Sequence, residues 1–232
     1  MSNWSSYIKD FVSYLKIEKG LSENSILAYL NDVKKLEDFA SSLSLDPKAI
    51  TYSHLQQFVA ELCDLGLSAR SQSRIISGVK QFFQFLVLED EIEVDPTTLL
   101  ETPKIGRKLP EVLTVKEVDE LIDAIDLSKP EGHRNKAILE TLYSCGLRVS
   151  ELVNLQFEQL FFNEGFIRVT GKGNKQRLVP VSPSVEKEIG IYVSSIRNHM
   201  KIQKGQESFV FLNRRGAQLT RVMIFTIINA CH

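Results

Sequence analysis

Cys145-Gly146-Leu147-Arg148-Val149-Ser150-Glu151-Leu152 opens the stretch that organises this chain, and Thr170-Gly171-Lys172-Gly173-Asn174-Lys175-Gln176-Arg177 closes it. Gly146 suits the end of one helix, and Arg148 stands just before the start of the next. Helix N-termini favour anions through their free N–H groups, and an arginine there adds a planar fork of donors that stays charged at any usable pH. Glu151, three residues on, shares the same helix side. It suits an orienting role for Arg148 and equally a structural ion pair beside a cap. Lys172 and Lys175 fall in a loop flanked by glycines, which let the backbone approach a ligand closely. A lysine there can protonate an alkoxide leaving group if its surroundings lower its pKa; the same loop also reads as a solvated hairpin tip. Together the two ends can grip one phosphate from two sides.

Working outward, the apolar period changes from helical to two in the middle of the stretch. Phe166, Arg168 and Thr170 alternate with Ile167 and Val169 after the turn Asn163-Glu164-Gly165, and Leu178 to Val181 reads as a further strand whose Pro180 suits a sheet edge. Upstream, Thr114 and Glu117 form a capping-box pair for a helix with Val118, Leu121, Ile122 and Ile125 on one side. Another helix runs from about 132 to 144, and Ser150 is expected to cap a short one through Leu155. Downstream, Ser182 to about Met200 reads as helical, Phe209 to Leu212 as a short apolar run, and Thr220 as the cap of a helix still in progress at Cys231-His232.

Ahead of all this, residues 4–90 carry four helical stripes: Trp4, Phe11 and Leu15; then Ile26, Val33, Leu36 and Phe39; then Leu55, Phe58 and Leu62; then Ile75, Val79, Phe82 and Leu86. Gly20, Asp46-Pro47 and Gly66 punctuate them. Residues 92–110 hold three prolines and little periodicity, as a linker does. The expected fold is therefore mainly α with a small β-hairpin sheet. Its parts are a helical domain over 1–91, a linker over 92–110 and a second domain over 111–232.

The formal net charge is −1, which excludes a strong overall basic field, so any nucleic-acid contact must come from local patches. Arg70, Ser71, Arg74 and Lys80 decorate the fourth helix off its apolar stripe, and Ser25 and Tyr29 lie on the second. Each suits either phosphate contact or a merely structural place: a solvated face for the cations, a core edge for Tyr29. Cys63, Cys145 and Cys231 are far apart, which argues against a disulfide framework and fits a reducing cytoplasm. The four histidines show no metal-ligand spacing, and no phosphate-binding nucleotide loop is present. Neither a signal-peptide pattern nor an apolar run of membrane-spanning length is seen.

The residues Gly146 to Leu152 resemble the first arginine box of the tyrosine recombinases, of Xer type. Thr170 to Pro180 is similar to that family's β-hairpin lysine motif, and Leu21-Ser22-Glu23-Asn24-Ser25 with Tyr29, followed by Ser68 to Phe85, resembles its helical (SAM-like) core-binding domain. The resemblance implies an α+β catalytic domain and cleavage of DNA by a tyrosine hydroxyl, leaving a 3′-phosphotyrosyl link and a free 5′-hydroxyl. It implies that Arg148 clamps the scissile phosphate, Lys172 protonates the leaving 5′-oxygen and Glu151 supports them, with Ser25, Tyr29, Arg70, Ser71, Arg74, Lys80, Lys175 and Arg177 on the DNA. It further implies no metal or ATP in the chemistry and a duplex recombination site shared with a second Xer-type recombinase in a tetramer. A septal DNA translocase would be a partner in chromosome dimer resolution. The family's second box, His-x-x-Arg, and its tyrosine context are not found among these residues. The expectation is an incomplete catalytic domain that binds DNA more readily than it cuts it. An integrase of a mobile element and a non-catalytic DNA-binding protein of the same fold are the alternatives.

Overall fold

The structure, a computed structural model, describes residues 4–106, 112–171, 173 and 175–230. The chain divides into two compact units, Met1–Leu109 and Pro110–His232. The architecture is mainly helical with a three-stranded antiparallel sheet, as the sequence pattern leads one to expect.

In the first unit, helices α1 (Trp4–Ile17), α2 (Glu23–Ser42), α3 (Tyr52–Asp64) and α4 (Ala69–Leu88) follow one another through short turns. Three of them start on a hydroxyl that accepts a backbone N–H of the first turn: Ser22 for α2, Thr51 for α3, Ser68 for α4. Each apolar stripe turns inward onto an aromatic core. Phe11 meets Phe82 edge-on at 5.4 Å between ring centres, and Trp4 stacks on Phe82 at 5.9 Å. The stretch after α4 packs back onto this unit as far as Leu100, which is buried with it, while the Asp95 carboxylate accepts from both the backbone and the hydroxyl of buried Thr97.

The second unit begins with α5 (Val115–Asp123), on the reciprocal Thr114–Glu117 cap, and α6 (Gly132–Cys145). Gly146 ends α6 at φ +56°, a left-handed conformation that glycine adopts without strain. Then come α7 (Val149–Val153) and strands β1 (Leu160–Phe161), β2 (Phe166–Thr170) and β3 (Gln176–Pro180). They are followed by α8 (Pro183–Ser195) and α9 (Arg221–Ala230). The sheet order is β1-β2-β3, with Phe166 opposite Pro180 and Thr170 opposite Gln176, so Pro180 lies on an edge strand. Ile167, Val169 and Val179 bury one face of the sheet against α6, α8 and α9.

Three local readings are corrected. Ser150 lies inside α7, and the cap position belongs to Arg148, because Glu151 reaches back to the Arg148 N–H. Helix α8 stops at Ser195 rather than near Met200. The following Arg197 donates to the carbonyl oxygens of Glu207 and Phe209, and this pulls residues 197–199 into a tighter 3-10 turn. The apolar run Phe209 to Leu212 forms single bridges, Gln156 with Phe209 and Leu212 with Gln218, and joins no sheet. Cys231 and His232 lie outside the described residues.

Candidate active site

Two breaks in the regular elements build the site. The α6–α7 turn brings Arg148 to the start of α7, in an extended conformation at φ −69°, ψ 149°. The β2–β3 turn is closed by Gly171, whose N–H donates to the Lys175 carbonyl at 2.8 Å. The side chain of Glu151, on α7, joins them. Its carboxylate is buried, 3% exposed, and it accepts four hydrogen bonds. Oε2 takes the Arg148 N–H at 2.8 Å and Arg177 Nη2 at 2.8 Å, while Oε1 takes Arg148 Nη1 at 2.9 Å and Arg177 Nη1 at 2.6 Å.

The electrostatics follow from this count. Two guanidinium groups share one carboxylate, so the cluster carries one net positive charge. Arg177's charged donors, joined by the Arg148 backbone and side-chain donors, outweigh burial and hold the Glu151 carboxyl down at about 2. Glu151 is therefore ionised throughout the physiological range. The Arg148 side chain remains 71% exposed and that of Arg177 39% exposed, so each keeps donors turned away from Glu151. Gly171 stands over the cluster: a Cβ built there would lie 3.4 Å from Glu151 Oε1 and 3.6 Å from Arg177 Nη1. The lysine-bearing turn and Arg148 are thus tied to one carboxylate. Two oriented guanidiniums on a buried anion suit the recognition of a phosphate or another oxyanion.

Of the residues singled out in the sequence, Arg148, Glu151 and Arg177 meet here. Lys175 is exposed on the neighbouring turn. Lys172 lies outside the described residues. Sequence reasoning placed Arg177 on DNA and did not foresee its forked pairing with Glu151, which spans 26 residues. The remaining candidates belong to the first unit. Ser25 and Ser71 occupy equivalent places at the starts of α2 and α4, each with its hydroxyl 3.0 Å from that of the capping serine, Ser22 and Ser68. Tyr29 is half-buried at the core edge with its ring edge-on to Phe11. Arg70 is exposed and Lys80 half-buried. Arg74 is engaged by a buried acid, Asp32, that sequence reasoning did not single out. The available signal was an aspartate within the apolar stripe of α2. Among the described residues, no cluster of three or more His, Cys, Asp or Glu is placed to hold a metal ion, and no helix is long and apolar enough to cross a membrane.

The second unit matches the family model described as phage integrase family over residues 111–232, and the first matches the phage integrase N-terminal SAM-like domain over residues 8–90. Curated relatives include the tyrosine recombinase XerD of Staphylococcus haemolyticus, 38% identical over 222 residues that cover 95% of this chain and 75% of that protein. The protein of the same name from Staphylococcus aureus is 39% identical over the same shares. Among solved structures, a lambda integrase tetramer bound to a Holliday junction has a TM-score of 0.74 at 15% identity, covering 98% of this chain and 64% of that one. The site-specific recombinase XerH bound to its difH substrate, a pre-cleavage complex, has a TM-score of 0.71 at 20% identity, covering 98% and 68%. At these identities the solved structures show a shared fold.

Proposed function

The chain belongs to the phage integrase family, the tyrosine recombinases, whose work is site-specific DNA recombination, and we propose that its Arg148–Glu151–Arg177 cluster is the phosphate-binding part of the active centre. In this reading Arg148 directs its outward donors at the non-bridging oxygens of the scissile phosphate. Charge grows on those oxygens as a tyrosine hydroxyl attacks phosphorus and the 5′-oxygen departs. Donors fixed in advance on a dry carboxylate stabilise that charge without rearranging, an effect worth roughly 10²–10³ in rate per donor in comparable sites. Glu151 is the positioning group: it fixes Arg148 and couples it to β3 through Arg177. Lys172, which follows Gly171 in the sequence, is the proton donor to the leaving 5′-oxygen. Ser25, Tyr29, Arg70, Ser71, Arg74 and Lys80 of the helical domain, with Lys175 of the hairpin turn, complete the DNA contacts. The domain limits proposed are 1–91, 92–110 and 111–232.

The single observation that carries this reading is a buried carboxylate aligning one exposed and one half-buried arginine at the base of the glycine-lysine turn. The relatives named tyrosine recombinase XerD support recombination of DNA as the activity; in the proposal the partner is a duplex recombination site, shared with a second recombinase of the same type in a tetramer, in the cytoplasm. The tetramer draws support from the junction-bound lambda integrase. Resolution of chromosome dimers, with a septal DNA translocase as activator, is the finer form of the proposal.

Selection of fragments from a random-sequence duplex library tests the reading. Retained DNA is expected to converge on one site after a few rounds. Retention with no enriched sequence would remove site-specific recognition from the account.

A further inference from the structure

Asp32 is the charged residue least at home in the first unit. It lies on α2, its side chain is 3% exposed, and it faces α4. Arg74 of α4 meets it with both terminal nitrogens: Nη1 donates to Oδ2 at 2.8 Å, and Nη2 stands 2.6 Å from Oδ1. One turn further along α4, Gly78 makes the room. A Cβ at that position would lie 2.6 Å from the Asp32 Cβ and 2.7 Å from its Oδ2. Two positions of α4 are therefore given over to one carboxylate of α2.

This pairing is a poor way to stabilise the fold. Burial drives the Asp32 carboxyl up to about 6, against the opposing pull of Arg74 and of Lys35 on its own helix. The carboxylate thus loses more by desolvation than its partners return, and an apolar pair of similar size generally does as well or better. What the pairing does achieve is directional. The Arg74 side chain is 52% exposed, so its guanidinium is held from beneath and open to solvent above. It stands one turn from exposed Arg70, on a helix of 20 residues that contains Arg70, Arg74 and Lys80 and no acidic residue.

We propose that Asp32 is a positioning residue for DNA binding: its buried carboxylate holds Arg74 in one pose on the α4 surface so that the free donors of the guanidinium meet a backbone phosphate. The inference rests on the reading that the chain binds DNA. An arginine already held loses less side-chain freedom on meeting its ligand. One N–H is donated to Asp32 Oδ2 and Nη2 is ion-paired with Oδ1, which accepts no hydrogen bond among the described residues, so the outward N–H groups of the guanidinium stay available.

The sign of one substitution separates this role from a plain counter-charge. Asp32→Asn removes a negative charge beside a phosphate-binding face. If Asp32 only neutralises Arg74, the variant binds DNA more tightly. If Asp32 positions Arg74, the variant binds more weakly although its net charge has risen by one. The experiment measures fluorescence anisotropy of a labelled random-sequence duplex with the full chain, as wild type, D32N, R74K and the double variant. D32N and R74K are each expected to weaken binding about 5–10-fold, and the double variant to be within about twofold of either single one, because both remove the same oriented fork. D32N binding equal to or tighter than wild type overturns the proposal. So does R74K with wild-type affinity, a surface change that keeps the charge and stays informative if D32N fails to fold. Wild type that does not bind the duplex overturns the DNA-binding reading and this inference with it.

Discussion

Replacing Glu151 by glutamine removes the charge that the cluster is built on while keeping its shape. The folded protein lowers the Glu151 carboxyl from the ordinary 4.5 to about 2. A group perturbed that far contributes about 3 kcal/mol to folding at neutral pH. Its arginine partners stand partly in water, 71% and 39% exposed, so solvent screening reduces the figure to about 1–2 kcal/mol. The glutamine amide also turns a donor toward an arginine donor, which adds to the loss. The sign is fixed by the lowered folded pKa. Between about 2 and 4.5 the unfolded chain binds more protons than the folded one, so this contribution is complete above about 4.5 and disappears as pH falls toward 2. Urea unfolding followed by far-UV circular dichroism from neutral to acid pH reads it. Trp4, the one tryptophan, sits in the helical domain and reports the wrong unit, so amide exchange in α7 and β2–β3 is the better second probe. E151Q is expected to be about 1–2 kcal/mol less stable at pH 7, with the gap closing by about pH 2. Equal stability at pH 7, or an acid limb unchanged from wild type, would refute the reasoning.

Three further substitutions test the same frame. Arg177→Lys keeps the charge and loses the fork on Glu151, so the β2–β3 turn loosens; exchange of the Gly171 N–H, bonded to the Lys175 carbonyl, should quicken relative to wild type. Gly216→Ala places a Cβ 2.1 Å from the Lys201 carbonyl oxygen at a residue with φ +73°, and thermal unfolding should show a loss of about 2–4 kcal/mol. Tyr192→Phe removes the buried hydroxyl that accepts the Leu212 N–H, and denaturant titration should show a loss of about 1–2 kcal/mol.

The parts legible in the sequence are those governed by a few neighbouring residues. Caps at Thr114 and Thr220, the stop at Gly146 and the alternation of Phe166 to Thr170 all follow from local chemistry, and all appear in the structure. The place of Arg148 at a helix start was readable for the same reason. What the sequence hid are partners chosen by packing. Glu151 and Arg177 lie 26 positions apart, and Asp32 and Arg74 lie 42 apart, with nothing local to match one to the other. The early end of α8 has the same origin, since the carbonyls that draw Arg197 out of the helix come from residues 207 and 209. Ser150 misled because a serine is a better cap by type than an arginine. The reach of Glu151 back to the Arg148 N–H decided the matter.

The most direct test of the central claim, that Arg148 meets a DNA phosphate, is the salt dependence of duplex binding by wild type and Arg148→Gln. Each phosphate contact releases counterions, so log K should fall steeply with log salt in wild type and with a slope smaller by about one in R148Q. Binding that is flat with salt, or an R148Q slope equal to that of wild type, would contradict it.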